Sequence, residues 1–125
     1  MAKLLITDDD TFNILLTKTM IKNIMPEIEI FEANNGKIAF ELAMDIQFDL
    51  IFMDVQMPEM NGIEATEAIR QSEKSMNQHT VIVGLTANSS DDDKIKCISS
   101  GMNDFLTKPI DKSKLSEIVN TYLSN

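Results

Sequence analysis

Short apolar runs alternate along this chain with stretches in which apolar residues recur at helical spacing. The runs at residues 4–6, 50–53, 81–85 and 105–106 have the length and composition of short strands, and Ile28, Ile30 and Ala33 suggest a further strand after the first helix. The run at 50–53 is apolar at every position, which is typical of a strand covered on both faces. Strands and helices that alternate in this way predict a parallel sheet with helices on both sides.

Four of the five stretches that follow these strands carry an apolar stripe of helical period. In the first, residues recur every four positions and are predicted to share one helix face. The stripes are Phe12, Leu16, Met20 and Ile24; Ile38, Ala39, Leu42, Ala43 and Ile46; Ile63, Ala65, Ala68 and Ile69; and Leu115, Ile118, Val119 and Tyr122.

Helix boundaries are marked by residues that cap or break helices. Pro26 should end the first helix. Ser89 or Ser90 should cap the fourth, whose first turn would hold the acidic residues 91–93 near the positive end of the helix dipole. Gly101 suits the end of that helix. The predicted fold is therefore a doubly wound, flavodoxin-like (βα)5 domain spanning residues 1–125, with strand order 2-1-3-4-5 and right-handed crossovers.

Composition narrows the range of functions. The 125 residues carry a net charge of −9, which argues against non-specific binding to nucleic acid. The single cysteine, Cys97, excludes an internal disulfide and is expected to pack as a small apolar residue. The apolar runs fall short of the ~20 residues that span a bilayer, and no signal peptide is recognisable before the first strand. A cytoplasmic protein without a membrane segment is expected.

Acidic residues follow two of the predicted strands. Asp8 and Asp9 come directly after the first, and Asp54 follows the third. The carboxyl ends of neighbouring parallel strands open into one crevice, so these carboxylates should meet there, together with Lys108 after the fifth strand. Three carboxylates and one ammonium leave a net charge of −2, which either raises some pKa values or binds a divalent cation. Oxygen ligands suit Mg²⁺. Asp10 is better placed to cap the first helix.

An aspartate beside Mg²⁺ can attack a phosphoryl group and form an acyl phosphate. Lys108 would supply a second cation to the transferring group. Thr86, at the end of the fourth strand, offers a hydroxyl to a phosphoryl oxygen, unless it only caps the next helix. The Lys108–Pro109 bond can be cis or trans, and the sequence leaves the isomer open.

Four segments in this order resemble the receiver domain of bacterial two-component response regulators. They are LITDDD at 5–10, DLIFMDVQMPEMNG at 49–62, GLTAN at 84–88 and GMNDFLTKP at 101–109. The second segment is most similar to receivers attached to hybrid histidine kinases, although free-standing receivers share it.

The resemblance implies a role for each residue of the acidic site. Asp54 would be the phosphoacceptor. Asp9 and Asp54 would bind Mg²⁺ through their carboxylates, the backbone carbonyl of Gln56 would complete the protein ligands, and Asp8 would act mainly through metal-bound water. Lys108 would pair with the acceptor and later with the phosphoryl group.

The resemblance also implies a conformational switch. Thr86 would move to hydrogen-bond the phosphoryl oxygen while Phe105 turns inward, which would change the surface formed by strand four, helix four, strand five and helix five. The phosphoryl donor would be a histidine kinase or a histidine phosphotransfer protein. The downstream protein is unknown. The domain would catalyse only its own phosphorylation and dephosphorylation and would not be an enzyme otherwise.

Two other functions stay open from sequence. Asp8, Asp10 and Thr11 also resemble the nucleophile motif of haloacid dehalogenase-type phosphatases, in which Asp8 would attack phosphate and Asp10 would act as acid and base. The other is a receiver-like interaction module that is never phosphorylated.

Overall fold

The computed structural model describes residues 2–87 and 90–123. Short apolar runs form five strands and the stretches between them form helices, in strict alternation. The strands are β1 (Lys3–Thr7), β2 (Glu29–Ala33), β3 (Leu50–Asp54), β4 (Ile82–Thr86) and β5 (Asp104–Thr107). The helices are α1 (Thr11–Ile24), α2 (Gly36–Asp45), α3 (Gly62–Gln71), α4 (Asp91–Ser100) and α5 (Lys112–Leu123).

All four strand pairs are parallel, and the strand order is β2-β1-β3-β4-β5. The predicted topology is therefore confirmed. In this order β1 and β3 are neighbours, with Thr7 opposite Met53, so that Asp8 and Asp54 emerge side by side. Strand β4 lies on the other side of β3, with Leu85 opposite Asp54. The register thus brings three strand ends to one edge of the sheet.

The sheet separates two apolar layers. Side chains that alternate along β1 and β3 point to opposite faces: Leu4 and Phe52 pack with α1 and α5, whereas Leu5 and Met53 pack with α2, α3 and α4. Strand β3 is buried at every position, and β1 is buried at every position except Lys3. Burial on both faces explains why these strands are apolar throughout rather than alternating.

The face that α1 buries differs from the predicted stripe. Its buried residues are Ile14, Thr17 and Ile21, whereas Phe12 is 62% exposed and Leu16 is 42% exposed. A four-residue repeat drifts around a helix of 3.6 residues per turn, so the stripe winds from solvent at Phe12 to the core margin near its end. The helix therefore has apolar residues on both its core and its solvent side.

Helix ends follow the expected chemistry. The Asp10 side chain accepts a hydrogen bond from the Phe12 amide and caps α1. Ser90 caps α4, and Ser89, the alternative, lies outside the described residues. Gly101 ends α4 in the left-handed conformation with φ 113°. The Lys108–Pro109 bond, open from sequence, is cis.

A half-buried arginine joins two loops to α3. Arg70 donates through Nε to the Gly101 carbonyl at 3.0 Å and through Nη1 to the Asn77 and Gln78 carbonyls at 3.0 and 3.1 Å. Its Nη2 donates to Asn103 Oδ1 at 2.9 Å. Burial lowers the pKa of this guanidinium. Among the described residues, no helix is both long and apolar enough to cross a bilayer.

Candidate functional site

Three carboxylates meet where β1 and β3 end. Asp8, Asp9 and Asp54 each present one oxygen, and these oxygens all lie within 4.8 Å of one another. Asp8 and Asp54 are buried, at 1% and 3% exposure, while Asp9 faces solvent. The loops hold the buried pair in place: Asp8 Oδ1 accepts from the Asp10 amide at 3.0 Å, and Asp54 Oδ1 accepts from the Gln56 amide at 3.1 Å. The predicted convergence of acids is present.

Lys108 bridges the two buried carboxylates. Its Nζ lies 2.8 Å from Asp54 Oδ2 and 3.1 Å from Asp8 Oδ2. The backbone sets this position, because the Lys108 amide donates to the Thr86 carbonyl at 2.7 Å just beyond the paired ends of β4 and β5. A cation that reaches back from the edge strand β5 therefore contacts the acids of the sheet centre.

Burial and charge shift the ionisation of this pair. Burial raises the pKa of Asp54 to about 6, although the hydrogen bonds from Lys108 and from the Gln56 amide oppose the rise. Burial alone would lower the pKa of Lys108, but its hydrogen bonds and charge interactions with Asp54 and Asp8 outweigh that effect and hold the pKa above its usual value. At neutral pH the site contains an ionised, poorly solvated Asp54 carboxylate.

The donor set fits a hard divalent cation. One ammonium compensates only part of the charge on three converging carboxylates. Oxygen atoms from several carboxylates, with a side open to water at the exposed Asp9, are the ligands that Mg²⁺ takes in proteins. Burial is the main reason that the pKa of Asp54 is raised, and the negative charge of Asp8 adds a smaller contribution that a bound cation would offset.

The loop after β3 is packed too tightly for side chains at two glycines. A Cβ on Gly62 would lie 2.0 Å from the Asp54 carbonyl oxygen, and a Cβ on Gly36 would lie 2.0 Å from the Met60 carbonyl oxygen. In the loop between β3 and α3, Glu59 adopts φ 66°, and the Met60 amide donates to the Pro58 carbonyl at 2.8 Å. The Pro–Gly punctuation in the sequence therefore marks a compact turn against α2, directly beside Asp54.

The two predicted switch residues lie on β4 and β5. Thr86 is buried at the end of β4, one residue beyond the position opposite Asp54. Phe105 lies in β5 opposite Gly84 and is half-buried. Lys94 of α4 places its Nζ 5.4 Å from the centre of the Phe105 ring. Sequence reasoning missed Lys94, because nothing in the chain indicates which α4 residue would reach across to β5.

The phosphatase interpretation finds no support at this site. Its Asp-x-Asp-x-Thr motif, begun at Asp8, requires threonine at position 12, where this chain has Phe12, so the sequence match was wrong. Asp10 caps α1 through its hydrogen bond with the Phe12 amide. Among the described residues, Asp54 clusters with Asp8 and Asp9. The phosphatase interpretation gives Asp54 no role.

A parallel 2-1-3-4-5 sheet with two acids after β1, one after β3 and a lysine after β5 defines the class of receiver-like α/β signalling domains. The family model of the response regulator receiver domain matches residues 4–120. This chain belongs to that family.

Curated relatives include hybrid histidine kinases and a sensor protein. Hybrid signal transduction histidine kinase B of Dictyostelium discoideum is 44% identical over 122 residues, which are 90% of this chain and 6% of that protein. Sensor protein GacS of Pseudomonas syringae pv. syringae is 41% identical over 118 residues, 94% of this chain and 13% of that protein. The chain thus spans only a small fraction of the relatives that it matches.

Solved receiver domains superpose on the whole chain. The receiver domain of sensor histidine kinase PA1611 from Pseudomonas aeruginosa PAO1, with magnesium in its active-site cleft, has a TM-score of 0.87 at 27% identity and covers 99% of this chain and 98% of its own. A co-crystal structure of the Saccharomyces cerevisiae phosphotransfer protein Ypd1 with the receiver domain of Ssk1 gives a TM-score of 0.88 at 33% identity, with 97% and 88% covered.

Proposed function

We propose that residues 1–125 act as a phosphorelay switch that accepts a phosphoryl group on Asp54. The observation that carries the proposal is the position of this carboxylate. It is buried among two other acids and contacts Lys108 at 2.8 Å. A fixed, poorly solvated carboxylate is a stronger nucleophile than a hydrated one, and family membership makes phosphoryl transfer the reaction to test.

The metal assignment rests on the same cluster. Asp8, Asp9 and Asp54 would hold Mg²⁺, with the backbone carbonyl of Gln56, as receivers of this family do. Bound Mg²⁺ would neutralise charge on the transferring phosphoryl group. The chain's own contribution is to fix the carboxylates: amides of the following loops hold Asp8 and Asp54.

The transfer itself exchanges one bond to phosphorus for another. A carboxylate oxygen of Asp54 donates an electron pair to the phosphorus of a phosphohistidine. The phosphorus–nitrogen bond breaks, its electron pair stays on the imidazole, and that ring takes up a proton. Lys108 releases its contact with the carboxylate and meets the phosphoryl oxygens, while the Thr86 hydroxyl donates to another of them.

The phosphoryl group would then bias the surface on the α4 side of the sheet. When Thr86 moves toward the phosphoryl group, it leaves space that the Phe105 ring can enter. The packing of α4, β5 and α5 changes, and a downstream protein binds one form better than the other. We place this relay in the cytoplasm, with a histidine kinase or histidine phosphotransfer protein as donor. The domain turns over no substrate other than its own phosphoryl group.

Labelling with acetyl phosphate and Mg²⁺ tests the assignment. Intact-mass spectrometry should show the addition of one phosphoryl group, and Asp54→Asn should abolish it. Asp45→Asn, an exposed acid at the end of α2, is the matched control and should label normally.

The mapped position of the adduct distinguishes the three functions. An adduct on Asp8, lost in Asp8→Asn, would support the phosphatase instead. A protein that takes no label at any donor concentration, while still binding Mg²⁺, would support the unphosphorylated interaction module. Normal labelling of Asp54→Asn would overturn the proposal.

A further inference from the structure

Lys94 and Phe105 form a contact between α4 and β5. The lysine Nζ lies 5.4 Å from the ring centre, within the range of a cation–π interaction. Both side chains are half-buried. Two residues further along α4, Lys96 is exposed and lines a different groove, with Asp9 and Gln56. The two lysines carry the same charge on the same helix but have different surroundings.

Strand β5 links the contact between Lys94 and Phe105 to the acidic cluster. Phe105 pairs in register with Gly84, and two residues later Thr107 pairs with Thr86. The strand that carries the ring continues directly into Lys108, which contacts Asp54. A movement of the Phe105 ring therefore affects the strand that leads directly to Lys108.

We propose that Lys94 is a positioning residue that holds the Phe105 ring in the position seen here, near the ammonium. This inference rests on the proposed switch, in which this position is the resting form and the ring turns inward after phosphorylation. A ring that turns inward moves away from the ammonium, so the cation–π attraction stabilises only the resting form. A contact of this kind at a partly exposed site shifts a two-state equilibrium roughly two- to fivefold.

Removal of the cation should therefore favour the inward form before any phosphorylation. In Lys94→Met the aliphatic part of the side chain is kept and the charge is lost, so the inward population should rise roughly two- to fivefold. By linkage, the affinity for beryllium fluoride with Mg²⁺, a phosphoryl mimic, should rise by up to the same factor. Lys94→Arg should behave as the parent protein, since a guanidinium also stacks over rings.

NMR of protein labelled with ¹³C in its phenylalanine rings provides the measurement. The Phe105 resonance is assigned by its loss in Phe105→Leu, and its shift is followed in titrations with beryllium fluoride and Mg²⁺. For the metal-free resonance, Lys96→Met is the matched control, because it makes the same change of charge on the same helix. The comparison of affinities uses only Lys94→Met and Lys94→Arg, since Lys96 lines the groove that holds Asp9 and Gln56. Lys94→Met should move the metal-free resonance toward the saturated position, and Lys96→Met should not.

Three results would overturn the inference. In the first, Lys94→Met and Lys96→Met give the same shift of the metal-free resonance, which indicates a general charge effect. In the second, Lys94→Arg matches Lys94→Met, which indicates lost packing rather than a lost cation. In the third, the Phe105 resonance does not move although Asp54 is labelled by acetyl phosphate. Failure of the labelling itself overturns the proposed function instead, and the metal-free resonance still reports on the contact.

Discussion

Replacement of the buried acid by its neutral isostere should stabilise the metal-free protein. Burial raises the pKa of Asp54 from 3.8 to about 6. A folded-state pKa above the unfolded value means that the protonated form favours folding. The stability associated with that proton is complete below pH 3.8 and is lost as the pH rises through about 6. With 1.36 kcal/mol for each pKa unit, the loss at pH 7.5 is about 3 kcal/mol.

Asp54→Asn removes this cost, so its free energy of unfolding at pH 7.5 in EDTA should exceed that of the parent by about 1–3 kcal/mol. At pH 4.5 the Asp54 carboxyl is protonated in most folded molecules of the parent protein. The gain in stability from Asp54→Asn should then fall to about 1 kcal/mol or less. Lys108 keeps a partner in the variant, because Asp8 lies 3.1 Å away. Urea unfolding at both pH values, followed by circular dichroism, measures the difference.

Asp45→Asn again provides the control and should change stability by less than about 0.5 kcal/mol at either pH. The reasoning would be refuted if Asp54→Asn were less stable than the parent at pH 7.5. It would also be refuted by an equal gain at both pH values, because the effect would then be unrelated to ionisation of the buried carboxyl.

Three further predictions address the metal, a helix end and the thiol. Mg²⁺ should raise the free energy of unfolding by about 1.4 kcal/mol for each tenfold excess over its dissociation constant, in urea titrations, and this increase should disappear in Asp9→Asn. Gly101→Ala should destabilise the fold by about 2 kcal/mol or more in the same assay, because φ is 113° there and the new Cβ would lie 2.8 Å from Arg70 Cγ; unchanged stability would show that the α4 end relaxes freely. Burial raises the pKa of Cys97, so Ellman's reagent at pH 8 should react with it only after unfolding, and rapid labelling of the native protein would contradict this packing.

The alternation of strands and helices could be predicted because strands that are buried on both faces appear in the sequence as continuous apolar runs. Strands β3 and β4 are apolar at nearly every position, and Gly101 and Ser90 end and begin α4 where their chemistry suggests. The acidic cluster followed from topology: once β1 and β3 are neighbours, Asp8 and Asp54 must emerge together.

Features that depend on contacts across elements could not be predicted. The apolar residues of α1 outnumber those that its core face can cover, so the pattern did not show that Phe12 and Leu16 face solvent. The contact of Lys94 with Phe105 depends on how α4 lies over β5. The carbonyls that surround Arg70 belong to loops, and a loop carbonyl leaves no mark in composition.

The arginine of α3 ties the end of α4 to the neighbouring helix. Immediately after α4, Arg70 donates hydrogen bonds to the Gly101 carbonyl at 3.0 Å and to Asn103 Oδ1 at 2.9 Å. The opposite end begins at Ser90, and Asp91 and Asp92 in its first turn are exposed. Movement of α4 therefore requires either that these two hydrogen bonds break or that Gly101 and Asn103 stay in place while the rest of the helix moves.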